Sequence, residues 1–247
     1  YTPIQSVLDG MPRRNMTFSM PGSYGFKDRY FIEGSFGYNG SERFADKNRM
    51  GFFPAGGIAW VISSEPFMQS TSEWLPFLKF RASYGKVGND GIISTPRFVF
   101  LPLIEKPNSL QYKDPMPYGQ NINRFRVSSY ANENIKWEIA EQVNLGLEAK
   151  LFKGVVEFTL DAFQEVRHNI LANRTTIPSS MGVELAPLDN IGKARTRGLD
   201  FSGKIQHAFT NDLWVILNAT ATYSESKYLE IEEATDKPVW QRKVGHE

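Results

Sequence analysis

Cysteine is absent from the 247 residues of the chain, and only 3 of them are histidine. Without Cys the chain cannot form a disulfide scaffold, a zinc-thiolate site or a thiol nucleophile. An excess of one charge is also lacking, because 28 basic side chains are balanced by 27 acidic ones. Nucleic-acid surfaces need clustered Lys and Arg, so we expect no nucleic-acid partner.

Long hydrophobic runs are missing as well. The longest one, Ala55–Ile62, is far shorter than the ~18 residues of a transmembrane helix, which excludes helical membrane spanning. The chain does not open with a charged segment, an apolar run and a cleavage site, so we expect any secretion signal to lie outside these residues. The hydrophobic content of 41% nevertheless argues against global disorder.

Catalytic signatures are sparse. The histidines at His168, His207 and His246 do not show the spacing of a metal site or of a nucleophile with its general base. The acidic residues between Glu230 and Asp236 form a charge run that is typical of a solvated loop. We therefore predict no enzyme activity, no cofactor and no metal.

The dominant positive signal is alternation of apolar and polar residues, which sends successive side chains to opposite faces of a strand. It is clearest in Glu141–Leu151, where every second residue is apolar, and it resumes after a turn at Lys153 and Gly154. The sequence predicts an all-β fold with eight antiparallel strands: Arg14–Met20, Tyr30–Asn39, Phe52–Ile62, Leu78–Lys86, Glu141–Leu151, Val156–Ala162, Leu199–Gln206 and Leu213–Tyr223.

The connections between these strands alternate in length. Short turns at 25–29, 153–154 and 210–212 are separated by longer loops at 41–50, 89–136 and 167–190. Short turns at one end and long loops at the other are typical of a transmembrane β-barrel with tilted strands of about ten residues. Alternating strands also build soluble sandwiches and barrels, so a secreted, soluble β-rich module that binds glycans or mediates adhesion is the alternative.

Several ordered blocks of the sequence resemble the barrel region of SusC/RagA-type TonB-dependent outer-membrane transporters. The blocks are Tyr24–Phe44, Asn48–Phe67, Leu78–Asn89, Asn132–Glu138 leading into Gln142–Leu147, and Asn190–Gly192 followed by Arg197–Asp200. The resemblance implies a nutrient importer of the bacterial outer membrane, in contact with outer-membrane lipid. Residues 1–247 would form about eight strands of a 22-stranded barrel, as a partial barrel domain without its plug and remaining strands.

The resemblance also implies partners and a substrate class. A SusD-like surface lipoprotein would cap the barrel, the TonB complex would act through the plug, and the substrate would be an oligosaccharide or a peptide. The lumenal wall would carry Glu33, Lys79, Arg81, Gln142, Asn144, Glu148, Asp161, Asp200 and Lys204. The lipid-facing positions would include Val143, Leu145, Leu147, Val156, Phe158 and Leu160.

We expect the long loop at 89–136 to lie on the extracellular side and to contact the substrate or the lipoprotein. Its stacking and hydrogen-bonding side chains are Arg97, Tyr112, Asp114, Tyr118, Gln120, Asn121, Asn123 and Arg124. The alternative is that its apolar residues, Phe98, Phe100, Leu101 and Tyr112, merely pack the loop onto the barrel rim.

Overall fold

The computed structural model describes residues 12, 14–91, 97–105, 125–182, 185–210, 212–234 and 237–246. The strands are β1 (Asn15–Phe26), β2 (Tyr30–Ser41), β3 (Met50–Val61), β4 (Phe77–Asn89), β5 (Leu103–Glu105), β6 (Arg126–Ser129), β7 (Glu138–Leu151), β8 (Val156–Asn173), β9 (Leu188–Ala208) and β10 (Trp214–Glu230). Short 3-10 helices occupy Asp46–Asn48, Ile62–Ser64, Pro66–Thr71, Phe152–Gly154, Ser179–Met181 and Val239–Gln241. None of the helices in the described residues has the length and apolar character of a transmembrane helix.

Eight long strands form one antiparallel sheet in the order β1-β2-β3-β4-β7-β8-β9-β10. This confirms the predicted all-β fold and its eight principal strands. The pair β5 and β6 forms a second, two-stranded sheet within the connection from β4 to β7. The connection was predicted to be loop throughout, and these two strands differ from that prediction because three or four residues are too few to show a period-two pattern.

The connections of the main sheet alternate between its two ends as predicted. Turns at 27–29, 152–155 and 209–213, together with the link at 62–76, lie at one end. The loop at 42–49 and the described parts of the connections at 90–137 and 174–187 lie at the opposite end, which we call the long-loop end. The tightest turn contains Lys27 and Asp28, both with φ of 54°, as the two central residues of a type I′ hairpin turn require.

Four strands are considerably longer than predicted. β8 continues past Ala162 to Asn173, β9 begins at Leu188 and β10 continues to Glu230. The alternation in the first strand predicts an end at Met20, but β1 continues to Phe26. Pro21 pairs with Ser35 of β2 without disturbing the register. Among the described strands β1 pairs only with β2 and lies at the edge of the sheet, where a residue without an N–H is tolerated.

The two faces of the main sheet differ sharply in polarity. One row of directly paired residues crosses all eight strands and holds only apolar or tyrosine side chains: Tyr24, Ile32, Ile58, Ala82, Leu145, Ala162, Leu199 and Tyr223. We call this side the apolar face. All six residues predicted to face lipid lie on it, and all nine residues predicted to face the lumen lie on the opposite, polar face.

The apolar face is not the core of a soluble domain. Tyr24, Ile32, Ile58 and Tyr223 each expose more than half of their surface. The main cluster of buried apolar side chains lies instead at the long-loop end, around Phe44 and Trp137. A soluble module would bury the large apolar face, so the burial pattern argues against that alternative.

Candidate binding surfaces at the long-loop end and on the polar face

A small aromatic core holds the loops of the long-loop end together. The ring of Trp137 lies 5.2 Å from that of Phe44 and 5.3 Å from that of Phe53, between ring centroids. Ile135 and Val99 complete this cluster, with at most 1% of either residue exposed. The indole N–H of Trp137 donates to the carbonyl of Arg49 at 3.2 Å. The cluster therefore joins the 42–49 loop to both described parts of the 90–137 connection.

Asparagine side chains tie the same loops through main-chain groups. Asn48 donates to the carbonyl of Ile135 at 3.1 Å, and Asn132 donates to the first residue of β9 at 2.9 Å. The side chain of Asn190 accepts from the N–H of Lys136 at 2.8 Å and donates to its carbonyl at 3.0 Å. No local pattern assigns a role to these asparagines, although all three lie in the blocks that carry the family resemblance.

Arg97 is the one predicted site residue within the described chain, and it lies in an internal ion pair. Its Nε and Nη2 atoms donate to Oε1 of Glu42 at 3.0 and 2.5 Å, and Nη2 also donates to the carbonyl of Pro12 at 2.8 Å. Only 11% of the Arg97 side chain is exposed. Arg97 therefore anchors the loop. The other seven predicted site residues lie outside the described residues: Tyr112, Asp114, Tyr118, Gln120, Asn121, Asn123 and Arg124.

The apolar residues after Arg97 have different environments. Val99 is buried in the aromatic core, whereas Leu101 is 45% exposed. The rings of Phe98 and Phe100 are 6.2 Å apart and border a cleft of about 440 Å³ at the rim, which Arg14 and Arg49 also line. Stacking faces beside guanidinium groups suit recognition of a polar ligand with a flat surface.

A third tie joins the 174–187 loop to the segment after β10. Arg174 Nε lies 3.0 Å from Oε2 of Glu232, and the hydroxyl of Thr176 also donates to that carboxylate. Burial alone would raise the pKa of Glu232, but the hydrogen bonds from Thr176 and Arg174 outweigh burial and lower the pKa. The carboxylate is therefore charged at neutral pH and holds the loop.

The polar face carries an ion-pair network that crosses the sheet at Gly146, a residue without a side chain. Arg81 on β4 reaches across β7 to Asp161 on β8, with Nη2 2.9 and 2.7 Å from the two carboxylate oxygens. It passes over Gly146, where any Cβ would collide with Arg81 and Asp161. Glu148 lies 3.5 Å from Arg81 Nε and 3.9 Å from Lys79 Nζ.

The adjoining part of the polar face is rich in hydroxyl groups. Paired residues of β9 and β10 on this face include Ser202 with Thr220, Asp200 with Thr222, and Thr196 with Ser226. Hydroxyl groups both donate and accept hydrogen bonds. Together with the ion pairs, they provide a wall suited to water and polar solutes.

Comparison with known proteins places these surfaces in a family. The family model described as "TonB dependent receptor-like, beta-barrel" matches residues 14–243. The chain belongs to the TonB-dependent receptor β-barrel family. It is 30% identical over 184 residues to TonB-dependent receptor P3 of Formosa agariphila, covering 73% of this chain and 17% of that protein. It is 27% identical over 215 residues to TonB-dependent receptor SusC of Bacteroides thetaiotaomicron, covering 87% of this chain and 21% of SusC.

A solved structure supports the same fold. The RagAB peptide importer in its closed-closed state superposes with a TM-score of 0.76 at 22% identity, covering 94% of this chain and 24% of that one. The chain thus spans about a fifth of the length of the curated relatives it matches. The sheet is a segment of an outer-membrane barrel. Barrels of this class turn an apolar face to lipid and a polar face to the lumen, with short periplasmic turns and longer extracellular loops.

The short-turn rim of the sheet contains a buried carboxylate, which no local sequence pattern indicates. Glu65 is 6% exposed and accepts from the hydroxyl of Tyr30 at 2.5 Å, the indole N–H of Trp60 at 3.1 Å and Arg29 at 3.3 Å. The bonds from Tyr30 and Trp60 lower the pKa of Glu65. Tyr and Trp side chains at a membrane interface turn their polar O–H or N–H group toward water. Here the hydroxyl of Tyr30 and the indole N–H of Trp60 both donate to the carboxylate of Glu65.

Proposed function

We propose that the chain forms part of the wall of an outer-membrane importer that takes up an oligosaccharide or a peptide and has no catalytic step. In this proposal residues 1–247 belong to a larger 22-stranded barrel, whose plug and further strands come from the rest of the protein. Energy enters through the plug and the TonB complex. The observation that carries the proposal is the exposed apolar face opposite a charged and hydroxyl-rich one, since that combination suits a wall between lipid and a solute path.

We propose further that the long-loop end binds the substrate, a SusD-like surface lipoprotein, or both. The described parts of the loops at 42–49 and 90–137 are cross-tied there by the aromatic core and by the Arg97–Glu42 pair, and asparagines join them to the start of β9, which gives a rigid base for recognition. The seven predicted contact residues from Tyr112 to Arg124 lie in the sequence between Glu105 and Arg126, which pair with each other. RagAB is named as a peptide importer and SusC as a TonB-dependent receptor, and both names are compatible with this role.

The test removes the recognition segment and keeps its base. In the full-length transporter, residues 106–124 are replaced by a short Gly/Ser linker, which can close the gap because Glu105 and Arg126 are paired. We expect normal surface abundance, together with loss of growth on the substrate or of co-purification with the lipoprotein. The matched control changes Lys27 and Asp28 to Asn and Gly in the periplasmic turn, where both residues suit the backbone.

Uptake and lipoprotein association that stay at the parent level in the linker variant would refute the assignment of this segment. Loss of both in the turn control would show that the assay reports barrel assembly and not recognition.

A further inference from the structure

The lipid-facing side of the sheet contains a groove near its extracellular edge. The groove has a volume of about 580 Å³. Its floor is at Ala162, which has a small side chain. The larger neighbours in the same cross-strand row form the walls of the groove: Leu145 on one side, and Leu199 with Tyr223 on the other. We call this feature the outer groove.

The polarity of the surface changes abruptly at the extracellular end of the outer groove. The next row holds Gln164, Arg197 and Glu225 beside Val143, and these residues also line the groove. The row beyond it places Arg195 directly opposite Lys227. The outer groove is apolar, and the next row of residues is charged. Such a change from apolar to charged residues marks the boundary between the hydrocarbon layer and the lipid headgroups.

The charges at this boundary do not balance. Lys86 pairs with Glu141 at 2.8 Å, while Arg197 and Lys227 share Glu225 at 2.9 and 2.5 Å. Arg195 forms no ion pair with an acidic side chain of the described chain. These two rows therefore hold four cations, namely Lys86, Arg195, Arg197 and Lys227, against two carboxylates, which leaves two positive charges in excess.

We propose that the outer groove binds one acyl chain of an anionic, phosphate-bearing lipid of the outer leaflet, with the phosphate held by Arg195 and Arg197. The two arginines are two residues apart on the same face of β9, so their Cα atoms are about 7 Å apart. Guanidinium groups bind phosphate with paired hydrogen bonds, and an excess of cations attracts an anionic headgroup. The side chain of Arg197 is 56% exposed and accessible from the lipid layer.

The complete barrel leaves the outer groove open. The groove lies on the face of the sheet, whereas further strands join at its edges through main-chain hydrogen bonds. The inference rests on the family and on the orientation of the segment in the outer membrane. It does not depend on which solute the transporter imports.

The test measures lipid retention by the full-length transporter in nanodiscs of phosphatidylcholine doped with phosphatidylglycerol. After mild detergent extraction, native mass spectrometry counts the phosphatidylglycerol molecules that stay bound. In the double variant Arg195→Gln/Arg197→Gln we expect the affinity for one phosphatidylglycerol molecule to fall about tenfold, because the loss of charge-assisted hydrogen bonds changes affinity by at least that factor. Ala162→Leu should also weaken retention by filling the groove without changing charge.

The matched control is Arg167→Gln. Arg167 lies on β8 at a similar height, but on the lumenal face, where it pairs with Glu165. Retention should stay at the wild-type level in this variant. Equal retention of phosphatidylcholine, unchanged retention in both groove variants, or an equal loss in Arg167→Gln would overturn the proposal. Because retention is measured on purified protein, its failure would not affect the import proposal.

Discussion

At the residue scale, Gly146 determines the charge arrangement of the lumenal wall. The Arg81 guanidinium can cross β7 to Asp161 only because position 146 has no side chain. The ion pair joins β4 to β8, which are not neighbours in the sheet. A single missing Cβ therefore allows a link across three strands.

We predict that Gly146→Ala breaks this link. The added methyl group would overlap Arg81 and Asp161, so we expect a loss of about 1–3 kcal/mol of stability, the usual cost of overpacking. The measurement is the temperature at which the barrel unfolds, read from the difference in gel mobility between the folded and the unfolded protein. Gly34→Ala is the control, because a Cβ at Gly34 has nothing within 4 Å. Equal midpoints for the two variants would contradict the prediction.

Glu65 provides a prediction about pH. The pKa of Glu65 is lowered from its usual 4.5 by the hydrogen bonds from Tyr30 and Trp60, so the folded state favours the ionised form. A lowered pKa stabilises the protein above pH 4.5, and this contribution disappears as the pH falls through the folded-state value. The wild type should therefore be more heat-stable than Glu65→Gln at pH 7, and the difference should shrink at pH 3. If wild type and Glu65→Gln differ in heat stability by the same amount at pH 7 and at pH 3, packing and not the charge of Glu65 causes the difference.

At the element scale, two connections of the long-loop end, at 42–49 and 90–137, share one packing centre in the described chain, Trp137. We predict that Trp137→Ala loosens the loops while the strands persist, because the substitution removes ring contacts with Phe44 and Phe53 and typically costs about 3–5 kcal/mol. Limited proteolysis of intact cells should then cut the surface loops faster. Trp240→Ala is the control, since Trp240 is 83% exposed. Equal cleavage rates would show that Trp137 does not order the loops.

We predict that an Arg substitution destabilises the barrel more on the apolar face of a strand than on its polar face. Leu160 lies on the apolar face in the row of Phe80, Leu147 and Phe201, whereas its neighbour Thr159 lies on the lumenal face beside Glu148. Leu160→Arg should cost about 2–4 kcal/mol near the bilayer midplane. Thr159→Arg should cost clearly less, as measured by unfolding of the full-length barrel in lipid vesicles. A larger loss in Thr159→Arg would reverse the assignment of the faces.

At the scale of the whole molecule, the segment depends on neighbouring strands. Within the described chain β1 pairs only with β2, and β10 pairs with β9 apart from one bridge between Tyr228 and Val244. Unpaired strand edges are unstable in hydrocarbon, where no water replaces the missing hydrogen bonds. We therefore predict that residues 1–247, produced alone and offered to vesicles, aggregate, whereas the full-length protein inserts. A monodisperse fragment that unfolds cooperatively in aqueous buffer would disprove this and favour the soluble alternative.

The sequence by itself determined the strands, their faces and the alternation of short and long connections. These properties are local, since a residue such as Leu145 and its neighbour Asn144 reveal their faces through the period of two. The same local pattern, together with the resemblance of ordered blocks, was enough to predict the barrel family. It predicted β1, β8, β9 and β10 too short, because each of these strands continues beyond the residues that alternate regularly.

The tertiary structure alone decided which residues meet across the sheet and between the loops. Arg97 and Glu42 are 55 positions apart, and Arg81 and Asp161 are 80 apart. No periodicity within a strand encodes such contacts, because they depend on strand order and register. The ion pair of Arg97 with Glu42 is one such contact, whereas a contact of Arg97 with substrate or lipoprotein stays a prediction. The roles of Gly146, Trp137 and Glu65 likewise arise only where distant segments are brought together by pairing across the sheet.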